Sequence, residues 1–179
     1  MIRPPHRVLA VSGSLRAKSI NTAVLLAAQS LAPADVELTL WHGLGDLPHF
    51  NPDLDTASPP AAAVAWREAV AAAGTLLFCT PEYAHGVPGV LKNALDWLVS
   101  YEPFLNKPVA IINARPGATF ALASLRETLS VMNARLLDAA SVTLPLTSNS
   151  LDTDALLRLP AVRVQLTACL TALRAAGAA

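Results

Sequence analysis

Residues 75–97 read TLLFCTPEYAHGVPGVLKNALDW, and this segment decides the fold. It opens with an apolar run over 75–80 that has the length and composition of a buried strand. A helical pattern follows over 90–99. The connection between the two contains prolines, glycines, a carboxylate, a tyrosine and a histidine, although a strand and a helix need only a short link. Such a loop on a rigid scaffold predicts a binding site.

Strands and helices alternate along the rest of the chain. Apolar runs predict strands over 8–11, 36–41, 75–80, 109–113 and 139–144. Helical patterns are predicted at 20–31, 62–73, 90–99, 121–136 and 154–176, with Pro160 restarting the last one. This alternation predicts an α/β fold, a flavodoxin-like three-layer sandwich. We expect a single domain over 1–179, with a five-stranded parallel sheet in the order 2-1-3-4-5 and helices on both faces.

Composition limits the classes of partner. The formal net charge is zero and there is no basic run, which argues against a nucleic-acid or anionic-membrane partner. Only 15% of the residues are charged, against roughly 25% in an average domain. This low charge predicts a surface covered by a second copy of the chain. Two distant cysteines make no disulfide framework, and no apolar run reaches about 18 residues, so we expect a cytoplasmic protein without a membrane span.

The loop after the first strand reads SGSLRAKSINT, residues 12–22. It is neither a Walker A loop nor a G-x-G-x-x-G dinucleotide fingerprint. Its hydroxyl, amide and cationic side chains lead into a helix N-terminus, where free N–H groups suit a phosphate. An ordinary capped turn, with Ser19 as the N-cap, also fits the pattern. In a doubly wound sheet, ligands bind beyond the carboxyl ends of the strands, and this position favours the phosphate interpretation.

Two motifs together point to a family. GSLRAKSIN (13–21) and PEYAHGVPGVLKNALDW (81–97) closely resemble the NADPH-dependent FMN reductase family, which includes quinone, chromate and azo-dye reductases. The resemblance extends over about residues 7–146. It implies an FMN-dependent NAD(P)H oxidoreductase that forms a homodimer or homotetramer. Hydride would pass from NAD(P)H through FMN to a small acceptor such as a flavin, a quinone, an azo dye or a metal oxyanion.

The resemblance also implies which residues bind the cofactor. The FMN phosphate would be held by five residues of the first loop: Ser14, Arg16, Ser19, Asn21 and Thr22. The flavin ring would lie along six residues of the third-strand loop: Pro81, Glu82, Tyr83, Ala84, His85 and Gly86. The helix behind that loop would be structural through Gly89, Lys92, Asn93, Asp96 and Trp97. Gly86 and Gly89 would permit close backbone approach to the ring.

The chain departs from the family pattern at two positions. Ala84 stands where many members have asparagine. Arg115 stands where many have a serine, in a segment that keeps Pro116 and Gly117. Arg115 and Gly117 are still predicted to bind the cofactor. Three roles stay open for Arg115: a contact with the edge of the reduced flavin, a contact with the 2′-phosphate of NADPH, or exposure to solvent.

No residue is assigned as a catalytic acid, base or metal ligand. The four histidines lack ligand spacing, and a hydride transfer through a cofactor requires no protein base. His85 either lines the flavin pocket or is solvated. Two other functions remain open: a flavodoxin-like FMN electron carrier, which its zero net charge disfavours, and a flavin-binding regulatory protein without turnover.

Overall fold

A computed structural model describes residues 4–176. Six strands occur in it: β1 (His6–Ser12), β2 (Val36–Trp41), β3 (Thr75–Cys79), β4 (Pro108–Asn113), β5 (Arg135–Leu136) and β6 (Val142–Thr143). The α-helices are α1 (Ile20–Leu31), α2 (Ala61–Ala72), α3 (Gly89–Asp96), α4 (Thr119–Val131), α5 (Thr153–Leu157) and α6 (Pro160–Ala176). Within this range no helix combines the length and the apolar character needed to cross a bilayer.

All strand pairs are parallel, in the order β2-β1-β3-β4-β5. The predicted fold class and strand order are therefore confirmed. The first four predicted strands each end within one residue of the observed end. The tail helix is interrupted between Leu157 and Pro160, as the proline predicted.

The fifth strand was predicted as one run over 139–144, and this is wrong. Leu136 of β5 pairs with Val109, whereas Val142 of β6 pairs with Ile112 of the same strand. Six residues along the edge, from 136 to 142, therefore match only three along β4, from 109 to 112. The extra residues cannot pair with β4 and have to leave the sheet. The edge is consequently divided into two short strands.

A serine side chain bridges the gap in this edge. The surplus residues form a 3-10 turn at Asp138–Ala140. The Ser141 hydroxyl accepts the Ile111 backbone N–H at 3.1 Å and donates to the Leu137 carbonyl at 3.0 Å. The β4 donor that lost its strand partner is thereby satisfied, since a buried N–H without a partner is costly. The spacing of apolar residues does not predict that a serine hydroxyl takes the place of a backbone carbonyl at this strand.

Two apolar cores enclose the sheet. One lies between the sheet and helices α1, α5 and α6, and the other between the sheet and helices α2, α3 and α4. The side chains of β3 are buried on both faces, as its continuous apolar run predicts. Together the two cores form the three-layer sandwich expected from the sequence.

The apolar residues of α3 do not face a partner. Leu91, Leu95, Trp97 and Leu98 were expected to carry more apolar surface than one protomer needs, yet each is at most 1% exposed. They fill the core beneath the α3 side of the sheet. This argument for a homodimer is therefore wrong.

The same helix holds the long connection between β2 and α2. The Asn93 side chain accepts the Phe50 N–H at 2.7 Å and donates to the Pro48 carbonyl at 3.0 Å. The Trp97 indole N–H donates to the same carbonyl at 2.8 Å. Asn93 and Trp97, which were predicted to be structural, thus hold the 48–50 segment against the body of the domain.

Candidate functional site

A cavity of about 330 Å³ opens at the carboxyl ends of β1, β3 and β4. Its size lies in the range of roughly 300–1,000 Å³ that is usual for small-molecule sites. The loops after these three strands form its walls. Because parallel strands end at one edge of the sheet, three loops distant in sequence meet there.

Most of the predicted cofactor-binding residues line this cavity. They are Ser14, Arg16, Ser19, Asn21, Pro81, Glu82, Tyr83, Arg115 and Gly117. Four predicted residues lie outside the lining: Thr22, Ala84, His85 and Gly86. Six residues that the sequence analysis did not assign also line it: Ile20, Thr80, Asn113, Ala114, Ala118 and Asn149.

The first wall is an uncapped helix N-terminus. Ser19 occupies the N-cap position of α1 with an extended backbone, and within the described residues its side chain accepts no hydrogen bond from the helix. The ordinary capped turn that the sequence left open is therefore not formed. Ser14 and Asn21 beside it are 8% and 4% exposed. This end of α1 presents free N–H groups and short polar side chains to the cavity, which is the arrangement that binds a phosphate.

Thr22 supports this loop from behind. Its hydroxyl donates to the Ser12 hydroxyl oxygen at 2.9 Å, and the Ser14 N–H donates to the same oxygen at 3.4 Å. The Arg16 N–H in turn donates to the Ser14 hydroxyl oxygen at 3.3 Å. These bonds hold the loop in shape while the Arg16 guanidinium remains exposed.

A glycine lets the first two loops approach each other. The Gly13 N–H donates to the Cys79 carbonyl at 2.9 Å. A Cβ at this position would lie 2.2 Å from the Thr80 hydroxyl oxygen and 2.7 Å from its Cβ. Any larger residue at position 13 would force the loops apart. By contrast, no protein atom lies close enough to Gly86 or Gly89 to require a glycine there.

The second wall ends in a tight hairpin turn. Tyr83 and Gly86 exchange two backbone hydrogen bonds, of 3.1 and 2.9 Å. The residues between them, Ala84 and His85, have φ angles of 48° and 60°. Positive φ at both central positions defines a type I′ turn, which asparagine and glycine occupy more readily than alanine. Ala84, in place of the family's asparagine, therefore puts a less favourable residue type at a backbone position with positive φ.

Glu82 connects the second wall to the third. Its Oε2 accepts the Ala121 backbone N–H at 2.8 Å. Ala121 lies in the first turn of α4, whose N-cap residue Ala118 supplies no side-chain bond. Glu82 therefore caps this helix from another loop, and its negative charge interacts favourably with the helix dipole.

The third wall is the loop after β4. The Arg115 N–H donates to the Asn113 side-chain oxygen at 3.2 Å, and the Ala118 N–H donates to the Arg115 carbonyl at 3.0 Å. This turn places Arg115 and Gly117 at the cavity and leaves both exposed. Asn113 is 6% exposed and shapes the loop. Its polar side chain at a buried strand end was a signal that could have identified it.

The charge of the cavity is positive. Among its described lining residues the cations are Arg16 and Arg115, and the carboxylate is Glu82, which is already bonded to α4. Cys79 lies behind the loops, where its thiol donates to the Asn21 side-chain oxygen at 3.4 Å. Burial raises the pKa of the Cys79 thiol well above its ordinary value, so it stays neutral. Residues 4–176 contain no group of three or more acidic, histidine or cysteine side chains placed to hold a metal ion.

The sequence around these loops matches a known family. The model of the NADPH-dependent FMN reductase family covers residues 6–148, which includes all three walls up to β6. The chain belongs to the NADPH-dependent FMN reductase family. The predicted family, the enzyme class of FMN-dependent NAD(P)H oxidoreductases and the cofactors FMN and NAD(P)H are thereby confirmed.

Two relatives of this chain are named for reductase activities. An NAD(P)H-dependent FMN reductase of Pseudomonas aeruginosa is 38% identical over 151 residues, which is 82% of this chain and 81% of that protein. A quinone reductase of Pseudomonas putida is 39% identical over 118 residues, 63% of this chain and 62% of that protein. The second alignment thus spans under two thirds of the relative's length.

Solved structures agree with the fold of this family member. The flavoenzyme NAD(P)H:acceptor oxidoreductase FerB of Paracoccus denitrificans superimposes with a TM-score of 0.71 at 26% identity, covering 94% of this chain and 97% of that one. A flavodoxin, WrbA-like protein of Agrobacterium tumefaciens has a TM-score of 0.59 at 13% identity, with coverage of 96% and 98%. The second likeness concerns the fold alone.

The residues that line the cavity fit the cofactor of the family. FMN carries one phosphate, and the cavity offers one uncapped helix N-terminus with buried hydroxyls and Arg16 beside it. A second phosphate would need a glycine-rich turn, which the loop at 12–22 lacks. Tyr83 of the second wall and Arg115 of the third wall also line the cavity.

Proposed function

We propose that this protein oxidises NAD(P)H and passes the electrons to a small planar acceptor such as a quinone or a free flavin. Bound FMN would supply the chemistry by accepting and releasing a hydride equivalent. The main support is the positively charged cavity, which has the uncapped N-terminus of α1 at one wall and is lined by Tyr83 and Arg115 at the other two. The names of the relatives, FMN reductase and quinone reductase, favour these acceptors.

The phosphate end carries a direct test. Each charge-assisted hydrogen bond contributes roughly 1.5 kcal/mol or more, so Arg16→Ala with Ser19→Ala should cost about 3 kcal/mol of FMN binding. That corresponds to roughly a 100-fold increase in the FMN dissociation constant. Lys18→Ala is the matched control, because Lys18 is an exposed cation of the same loop outside the cavity lining. Fluorescence titration with FMN measures all three proteins, and equal affinity in the double variant would refute the assignment.

The ring end is proposed to comprise two parts. Pro81, Glu82 and Tyr83 would lie along the flavin, with the turn at 84–86 fixing their position. Gly117 and Arg115 would lie along its other edge. For Glu82 we propose a positioning role, since its carboxylate is bonded to Ala121 rather than free in the cavity.

The two other functions make different predictions for the purified protein. An enzyme turns yellow with FMN and is bleached by NAD(P)H in the absence of oxygen. A carrier would be yellow, inert to NAD(P)H and reducible by a ferredoxin-type partner. A flavin-binding regulatory protein without turnover would bind FMN but would not pass electrons from NAD(P)H to any acceptor. The proposal fails if the FMN-loaded protein is not bleached by either NADH or NADPH.

Domain organisation, assembly and location remain proposals. We infer one domain over 1–179, a homodimer or homotetramer, and a cytoplasmic location. Support for assembly now comes from the low charge and from exposed apolar side chains such as Val131 and Val164, which are 72% and 68% exposed. Light scattering of the FMN-loaded protein at micromolar concentration should give at least twice the monomer mass, and a monomer would contradict the proposal.

A further inference from the structure

An aromatic pair stands beside the cavity mouth. The rings of His85 and Phe120 stack with their centroids 4.2 Å apart and an interplanar angle of 17°. His85 is at the tip of the type I′ turn, and Phe120 is in the first turn of α4. Each is two residues beyond a residue that lines the cavity, Tyr83 and Ala118 respectively. The pair therefore belongs to the two segments that form the second and third walls of the cavity.

Both rings of the pair are exposed, although Phe120 is apolar. Phe120 is 54% exposed and the neighbouring Tyr83 is 52% exposed. A single exposed aromatic ring on a protein surface needs no explanation. Here two exposed rings from separate segments, His85 and Phe120, stack on one another beside the loops that line the cavity.

The two segments that carry the pair are held rigidly. The Glu82 carboxylate bonds to the Ala121 N–H, one residue from Phe120, at 2.8 Å. The two backbone hydrogen bonds of the turn fix the segment that presents His85. Positive φ at Ala84 and His85 is unfavourable for residues with side chains, and such strain occurs preferentially at binding sites.

We propose that the His85–Phe120 pair is an acceptor-binding surface on which the planar ring of a quinone or free flavin stacks at the cavity mouth. This rests on the proposed function. In that reaction NAD(P)H, a proton and the quinone give NAD(P)⁺ and a hydroquinone. The pair exchanges neither electrons nor protons; it binds the conjugated ring by offset stacking, as aromatic faces do. An acceptor without a planar ring gains nothing from it.

Phe120→Ala tests the proposal with three acceptors: 1,4-naphthoquinone, riboflavin and ferricyanide. We expect kcat/KM for the planar acceptors to fall roughly three- to ten-fold, the loss expected for one aromatic stack. The value for ferricyanide, which is octahedral, should stay unchanged. A loss confined to naphthoquinone or to riboflavin identifies that class as the acceptor. Phe120→Tyr keeps the ring and should retain activity, and Val131→Ala at the other end of α4 is the matched control for an exposed apolar residue.

Binding without turnover gives a second readout. Calorimetry of the FMN-loaded protein with 2-naphthol, a two-ring compound that is not a quinone, should show a weaker affinity in both Phe120→Ala and His85→Ala. The dissociation constant for FMN should not change in Phe120→Ala. An unchanged affinity for 2-naphthol together with unchanged quinone kinetics would overturn the proposal.

The remaining outcomes separate this inference from the proposed function. If no acceptor, ferricyanide included, supports NAD(P)H oxidation by the unmodified protein, the proposed function fails. If ferricyanide loses as much activity as naphthoquinone in Phe120→Ala, the pair supports the flavin site in general and the stacking role is refuted. A smaller particle mass for Phe120→Ala in light scattering, with equal losses for all acceptors, would assign the pair to a subunit contact instead. A raised KM for NADPH alone would assign it to the electron donor.

Discussion

Replacing Ala84 by glycine should stabilise the protein, although glycine is usually a destabilising substitution. Ala84 has a φ angle of 48° in the turn at 83–86. The left-handed conformation costs a residue with a side chain roughly 1–2 kcal/mol. Glycine avoids this cost but loses about 0.5–1 kcal/mol more in backbone entropy on folding. The net expectation is a gain of about 0.5–1 kcal/mol in the free energy of unfolding.

The same substitution at Ala65 is the matched control. Ala65 is exposed in the interior of α2, where alanine is the best helix former and glycine is less favourable by about 1 kcal/mol. Ala84→Gly and Ala65→Gly should therefore shift stability in opposite directions. Urea denaturation of the FMN-free protein measures the free energy of unfolding of both variants. In a thermal unfolding experiment, each kcal/mol should shift the melting temperature by roughly 2–4 °C. If Ala84→Gly lowers the stability, with an unchanged dependence on urea, the strained turn is refuted.

Three further expectations concern charge and burial. Arg115→Ser should lower the flavin reduction potential if Arg115 contacts the reduced ring, raise the KM for NADPH alone if it contacts the 2′-phosphate, and change neither if it faces solvent; potentiometry and steady-state kinetics with NADH and NADPH separate these roles. Asp55→Asn should destabilise by about 1 kcal/mol near neutral pH, because it removes the charge from a partly buried ion pair with Arg67 whose N–O distance is 2.8 Å. The hydrogen bond from Arg67, together with one from Ser100, lowers the pKa of Asp55, so wild-type stability from this pair should be complete above about pH 5 and lost as pH falls below about 4; a constant difference between variant and wild type down to pH 2 would contradict it. Cys79 and Cys169 are buried, which raises the pKa of Cys169 to about 12, and neither should react with a thiol reagent at pH 8 until the protein unfolds.

Several site residues could be found from the sequence because their role depends on the chain nearby. Ser14, Arg16 and Ser19 lie between a strand and a helix, and a helix N-terminus attracts phosphate wherever it occurs. Pro81 and Tyr83 lie in a motif long enough to identify the family. The order of the sheet followed from the alternation of strands and helices, since parallel crossovers permit few topologies.

Other residues have roles that depend on distant partners. Phe120 lies one residue before the helix predicted over 121–136, and only the fold places it against His85. Glu82 was predicted only as one residue of the flavin loop, yet its carboxylate accepts a backbone N–H of a helix 39 positions later. Asn149 reaches the cavity from the loop after β6, beyond both motifs. No local pattern encodes these contacts.

The sequence by itself determined the layered fold, the strand order and the family, and it predicted a phosphate site in the loop after β1, because hydrophobic periodicity, turn chemistry and a long motif are local properties of the chain. The tertiary structure decided the interrupted edge strand, the capping of α4 by Glu82, the positive φ angles at Ala84 and His85, and the aromatic pair at the cavity mouth. Each of these depends on which groups meet across the sheet edge. Such a side chain meets its partner only when packing brings remote segments together, and local sequence patterns do not specify which remote segments meet.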